Sequence, residues 1–257
     1  PGAPGGLAWS SDGRYIAYSV FRTQPGPAAA ALPVAPEGAE RAPAAAIENR
    51  LLFRLDGAGP IPPGTQYFYR VELETGDITA LSQDALGGSG DFAFSHDGEA
   101  LIFSADRRQQ LGELPPDNEL HRLDITTGAV TQLTDRRGPD TSPRPSPDGR
   151  WIAYLGFDDE QMGYHNTELY LRATETGETR SLTASLDRSV GDPQWASDSR
   201  SIYVQFDDRG TTRVAQVSLD GELTIVADGL IGATFGRPYT GGDYSVSQSG
   251  AVAFTLG

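Results

Sequence analysis

The sequence has no cysteine, no lysine and a single methionine, Met162. Without cysteine there is no disulfide framework, no thiolate nucleophile and no sulfur set for zinc. Without lysine, all 20 cations are arginine, and they are scattered, never more than two in a row. A chain of net charge −15 with dispersed arginines cannot line up cations against a row of phosphates, so nucleic acid is excluded as a partner. No apolar run approaches the roughly 18 residues of a membrane helix, so a membrane is not expected as a partner either. The opening residues, PGAPGG, resemble neither a secretory leader nor a natural start. The expectation is a chain that begins in mid-protein. Its compartment stays open, with the cytoplasm slightly favoured over the periplasm.

What the sequence does have is punctuation. Its 31 glycines and 18 prolines in 257 residues interrupt any long helix and point to turn-rich β structure. A hairpin recurs five times: AWSSDGRYIAYS from Ala8, AFSHDGEALIFS from Ala93, RPSPDGRWIAYL from Arg144, QWASDSRSIYVQ from Gln194 and YSVSQSGAVAFT from Tyr244. Each is a strand, a Ser-x-Asp-Gly turn and an apolar strand. Asp can cap the turn with its own side chain, and Gly accepts the positive φ the turn needs.

A second hairpin follows each of the first four copies, at YFYRVELETGDITALS from Tyr67, ELHRLDITTGAVTQLT from Glu119, ELYLRATETGETRSLT from Glu168 and TRVAQVSLDGELTIVA from Thr212. Four strands per unit make the blade of an all-β propeller. Asp97 to Asp148 is 51 residues and Asp148 to Asp198 is 50, whereas Asp12 to Asp97 is 85. The first unit therefore carries about 34 extra residues between Phe21 and Tyr67. The units are expected at 7–90 with an insertion at 24–46, then 91–141, 142–190, 191–242 and an incomplete 243–257. Four blades and half of a fifth suggest part of a larger ring. The Ala- and Pro-rich 24–46 stretch reads as a mobile loop, and RLLFRLDG from Arg50 as apolar enough to pack on the domain.

The hairpin Ser-Pro-Asp-Gly-Arg-Trp-Ile-Ala-Tyr at Ser146 to Tyr154 resembles the propeller repeat shared by TolB and by peptidases of the prolyl oligopeptidase family. RLLFRLDGAG at Arg50 to Gly59, LTASLDRSVGDPQW at Leu182 to Trp195 and FDDRGTTRV at Phe206 to Val214 are similar to the acylaminoacyl-peptidase-like branch. The resemblance covers nearly everything but Thr23 to Ala46. It implies a seven-bladed propeller capping an α/β-hydrolase domain with a Ser, Asp and His triad, and short or acylated peptides as substrates. No G-x-S-x-G elbow occurs in these 257 residues, so no catalytic residue is carried over, and the hydrolase domain is expected as a missing partner. The alternative is a non-enzymatic, TolB-like binding propeller. A homo-oligomer is left open, and neither cofactor nor metal is expected.

Candidate residues are few. His96 takes the Pro place of the turn and His121 the Tyr place of an ELY strand, so both read as structural. His165 lies on a loop between strands, a candidate for contact with substrate or another domain. Asp187, Arg188 and Asp192 belong to the best-matched segment, and Arg54 and Asp56 to RLLFRLDG. These six are the substrate or interface candidates, against a structural role in which Arg188 pairs with a carboxylate and fixes the crossover between blades. Asp158, Asp159 and Glu160, and Asp207 with Asp208, lack the alternating ligands and Gly bend of a calcium loop and read as solvated hairpin tips. Trp9, Trp151 and Trp195 recur at inner-strand positions and read as packing between blades.

Overall fold

The computed structural model describes residues 4–24, 36–39, 47–48, 50–57, 59–82, 91–108, 115, 117–232 and 241–256. The first blade begins with β1 (Pro4–Trp9) and β2 (Tyr15–Thr23), continues through a short hairpin of β3 (Arg54–Leu55) and β4 (Gly59–Pro60), and ends with β5 (Gly64–Glu72) and β6 (Ile78–Ala80). The second holds β7 (Phe92–Phe94), β8 (Ala100–Ala105), β9 (Glu119–Asp124) and β10 (Val130–Gln132). The third holds β11 (Asp140–Pro145), β12 (Trp151–Gly156), β13 (Glu168–Ala173) and β14 (Thr179–Ser181). The fourth holds β15 (Val190–Trp195), β16 (Ser201–Asp208), β17 (Thr211–Ser218) and β18 (Leu223–Leu230), and β19 (Tyr244–Val246) with β20 (Val252–Phe254) makes a half blade. In each full blade the strands pair antiparallel in chain order, with β3 and β4 forming a separate two-stranded sheet.

The turn chemistry is as the sequence implies. In the third blade Ser146 Oγ donates to Asp148 Oδ1 at 2.6 Å, and the same oxygen accepts the Arg150 main-chain N–H at 3.1 Å. Gly149 follows at φ +73°. The fourth copy reads Asp-Ser, and Ser199 is held at φ +59°, a costly conformation for a residue with a Cβ. Its hydroxyl compensates by accepting the Asp148 N–H of the neighbouring turn at 3.1 Å.

β11 and β15 begin one or two residues before the expected unit boundaries. Each carries a bulge, between Thr141 and Arg144 and between Gly191 and Gln194. Ser142 and Asp192, each just before a proline, take positive φ there.

The core lies between blades. Alternation along each strand sends one set of side chains to the preceding blade and the other to the following one. Between the third and fourth blades this gives Ala153, Leu155, Leu169 and Leu171 against Val190, Ile202, Val204 and Phe206. Burying each large aliphatic side chain of this kind is worth roughly 1.5–3 kcal/mol.

Two expectations are corrected. RLLFRLDG does not pack on the domain, since Leu51, Leu52, Phe53 and Leu55 are all exposed on the β3–β4 hairpin. Trp151 and Trp195 do pack on the core between the third and fourth blades, but Trp9 is 62% exposed. The insertion does enter between β2 and β5, and apart from Gln24 and residues 36–39 the 24–46 segment lies outside the described residues.

Candidate functional site

Antiparallel order within a blade sorts its connections to two ends. The Ser-x-Asp-Gly turns and the outer hairpin turns share one end; the loops between second and third strands and the crossovers to the next blade share the other. All six candidate residues belong to this loop end. Arg54 and Asp56 are in the connection that leaves β2 and re-enters at β5, His165 is between β12 and β13, and Asp187 and Arg188 are in the crossover to β15. Asp192 is the third residue of β15.

The structure brings only some of them together. A cavity of about 590 Å³ opens between loops of the second and third blades, lined by Arg108, Asp117, Arg137, Phe157, Met162 and His165 among others. The His165 ring stacks on Phe157 at 4.7 Å and 9°. Its Nε2 accepts the Glu160 main-chain N–H at 3.1 Å and lies 3.8 Å from Asp159 Oδ1. Neutral His165 therefore carries its proton on Nδ1, and its basic nitrogen is already engaged. This is a wall of a cleft and not a poised base.

Asp187, Arg188 and Asp192 tie elements together. Arg188 Nη2 meets Asp208 Oδ1 at 3.1 Å, and Asp208 Oδ2 meets Arg213 Nη1 at 2.7 Å, which is the crossover-fixing role. Asp187, at φ +51°, accepts from Asn166 Nδ2 at 3.1 Å. Asp192 accepts from Gln194 Nε2 through its side chain and from the Tyr244 hydroxyl through its carbonyl, joining the fourth blade to the half blade. Arg54 and Asp56 stand apart on the exposed β3–β4 hairpin.

The acidic clusters are solvated at Asp158, Glu160 and Asp207, which are exposed, but three of their carboxylates are also held by arginines. Asp158 pairs with Arg136 at 2.7 Å, Asp159 lies 3.8 Å from Arg137 Nε, and Asp208 sits between two arginines with 15% of its side chain exposed. Arginine forks gather carboxylates from neighbouring loops, which the spacing of the acids alone does not reveal.

Sequence reasoning also missed a polar cluster behind the cleft, where the second blade meets the third. Asp140 is fully buried and bonded through Oδ1 to Arg136 Nη2. Arg136 also donates to Tyr170 at 3.3 Å and lies over its ring at 4.0 Å. Glu119 accepts from Thr134 Oγ1 at 2.6 Å. Burial pushes Glu119 up to about 7, with Asp140 and Asp117 adding to the effect and the Thr134 hydroxyl opposing it. Burial likewise pushes Asp140 up to about 6, against the pull of Arg136. The available signal was the shared position of Glu119 and Glu168 at the head of matching strands; Glu168 accepts from Ser181 Oγ at 2.6 Å. Among the described residues no three carboxylates or imidazoles converge as metal ligands would.

This end of the molecule, then, has a cleft and buried charge. Over 147 residues, 55% of its length, the chain is 26% identical to dipeptidyl-peptidase 5 of Porphyromonas gingivalis. The chain is a propeller related to that peptidase. The match spans 21% of the peptidase, so the chain covers about a fifth of the length of the curated relatives it matches. With dipeptidyl-peptidase 5 of Trichophyton equinum it shares 26% identity over 192 residues, 64% of this chain and 24% of that one. No family model matches. Among solved structures, acylaminoacyl peptidase of Pyrococcus horikoshii superposes with a TM-score of 0.61 at 14% identity, over 90% of this chain and 32% of that one. TolB of Acinetobacter baumannii gives 0.57 at 19% identity, over 88% and 44%. At these identities both likenesses concern the fold alone.

Proposed function

We propose that this chain is the propeller part of a serine peptidase of prolyl oligopeptidase type, which admits short or acylated peptides to an active site in an α/β-hydrolase domain outside these 257 residues. The observation that carries this reading is the sequence similarity to dipeptidyl-peptidase 5. It is supported by the absence of a G-x-S-x-G elbow and by a histidine whose basic nitrogen is taken up by a main-chain hydrogen bond. The propeller contributes selection and the partner domain contributes chemistry: attack by serine, proton transfer by histidine and charge stabilisation by main-chain N–H groups. Selection rests on the loop end, where the cleft and the exposed β3–β4 hairpin lie on connections that can face an incoming peptide or the partner domain.

The test is a pair of assays. The 257-residue chain should hydrolyse neither acylated amino-acid nor dipeptide chromogenic substrates. The same protein expressed with its flanking coding sequence should cleave them and react with a fluorophosphonate. Turnover by the short chain that a serine-directed inhibitor abolishes would refute the division of labour. A longer protein that neither reacts nor cleaves would leave a TolB-like binding propeller.

A further inference from the structure

Of the arginines that line or back the cleft between the second and third blades, Arg108 and Arg136 are already engaged. Arg108 donates from Nε to Asp106 Oδ1 at 2.9 Å and from Nη2 to the Pro115 carbonyl at 2.6 Å. Arg136 is divided between Asp140 and Asp158. Arg137 differs from both. Among the described residues its nearest carboxylate oxygen, Asp159 Oδ2, lies 3.8 Å from Nε, and 62% of its side chain is exposed. An exposed pair at that distance contributes little, so both Nη groups of the fork are left for a ligand.

The backbone that carries this free fork is pinned. The Arg137 carbonyl accepts the Asp159 main-chain N–H at 2.9 Å, and the Gly138 N–H donates to Asp117 Oδ1 at 2.8 Å. Gly138 takes φ +123° and approaches the third blade so closely that a Cβ there would collide with the Phe157 carbonyl. The crossover after β10 is therefore held against the loop after β12, and Arg137 starts from a fixed place on the cleft. The same cleft offers an apolar wall, where Phe157 stacks on His165 and Met162 is exposed. Its volume of about 590 Å³ falls in the range of sites that enclose a small ligand.

We infer that this cleft is a carboxylate-recognising subsite, in which Arg137 takes the C-terminal carboxylate of a short peptide and the last side chain of that peptide lies against Phe157 and Met162. A guanidinium matches a carboxylate in plane and in charge, and a fork fixed at its root gives up little freedom on binding. A phosphate is a poor alternative. Asp117 and Asp159 line the same cleft, Asp158 and Glu160 stand beside it, and the whole chain carries net charge −15, so a dianion is repelled where a single carboxylate is tolerated. The choice of a peptide as bearer of the carboxylate rests on the proposed function; the carboxylate itself rests on Arg137.

The test is calorimetric titration of the 257-residue chain with N-acetyl-Ala-Ala-Leu and with its C-terminal amide. The acid should bind roughly 10-fold more tightly than the amide, as for one charge-assisted pair at an exposed arginine. Arg137→Ala should remove the preference, with Arg137→Gln in its place if the alanine variant melts lower. Arg150→Ala removes the same charge at the turn end, where Arg150 pairs with Asp148, and should leave the preference whole. Inorganic phosphate should compete weakly. Equal affinity for acid and amide, no binding of either at millimolar concentration, a preference that survives the loss of Arg137 or disappears with Arg150, or phosphate competing as well as the acid, each overturns the inference. No hydrolysis is measured, so this result separates from that of the peptidase assays. A longer protein that cleaves nothing while the acid still binds through Arg137 keeps the subsite on a binding propeller, and cleavage without any such binding removes the subsite and keeps the peptidase.

Discussion

The junction between the third and fourth blades and the junction between the second and third are built on one repeat but held together differently. The former is an aliphatic interlock, with Leu169, Leu171, Ile202 and Val204 all fully buried. The latter has a smaller apolar cluster and, beside it at the loop end, Arg136, Asp140 and Glu119. Burying charge costs desolvation that pairing only partly returns, so the second junction gains less cohesion from its loop end than the first does from its leucines. The repeat fixes where blades meet; the side chains decide whether the contact is cohesive or titratable. The titratable junction is the one beside the cleft.

Three perturbations sharpen this contrast. The largest effect is expected from Leu171→Ala at the aliphatic junction, where truncating a fully buried leucine costs about 2–5 kcal/mol, read as a lower midpoint in urea. A loss below about 1 kcal/mol would mean that the blades close over the gap and that the interlock is loose.

The second perturbation is pH. Glu119 and Asp140 have raised values in the folded chain, so the folded state keeps protons that the unfolded chain gives up above its ordinary carboxylate range. Their contribution is fully present below that range and is lost as pH rises through about 6 to 7. His121, lowered chiefly by burial, pulls in the opposite direction below its ordinary value, so the comparison must be with a variant and not with wild type alone. Relative to wild type, Glu119→Gln should gain melting temperature steadily between pH 5 and 8, since glutamine has no proton to lose. A constant difference across that interval would remove Glu119 from the titrating cluster.

The smallest effect is expected from Arg188→Ala. This pair tethers a crossover but is 42% exposed on the arginine side, and such pairs contribute about 0.2–1 kcal/mol. A loss comparable to that of Leu171→Ala would turn the crossover pair into a principal tie between blades.

The blades were legible because their signals are local. Ser-x-Asp-Gly turns, alternation and a spacing of 50 or 51 residues each act within a dozen positions or repeat at a fixed interval. Even the bulges at Ser142 and Asp192 lie just before a proline. The loop end was only half legible. That Arg188 finds Asp208, 20 residues away in sequence, or Arg136 finds Asp158, depends on which loops the blade stacking brings together. The exposure of Leu51, Leu52, Phe53 and Leu55 was misread for a related reason: apolar composition favours burial but does not supply the surface to be buried against.

The serines of the turns carry one more consequence. Ser11 Oγ donates to the His96 carbonyl of the next turn at 3.1 Å, Ser199 Oγ accepts from Asp148 N, and Ser197 Oγ donates to the Gln248 carbonyl at 2.7 Å. Between the second and third blades, the His96 ring closes on Gly149 so tightly that a Cβ there would sit 3.1 Å from it. Successive blades are thus stitched along a spine at the turn end. The opposite end is tied by charge instead, through Arg136 with Asp158 and Arg188 with Asp208, so the two ends of each junction answer differently to salt: the hydroxyl spine is indifferent to ionic strength, and the exposed ion pairs of the loop end are screened by it.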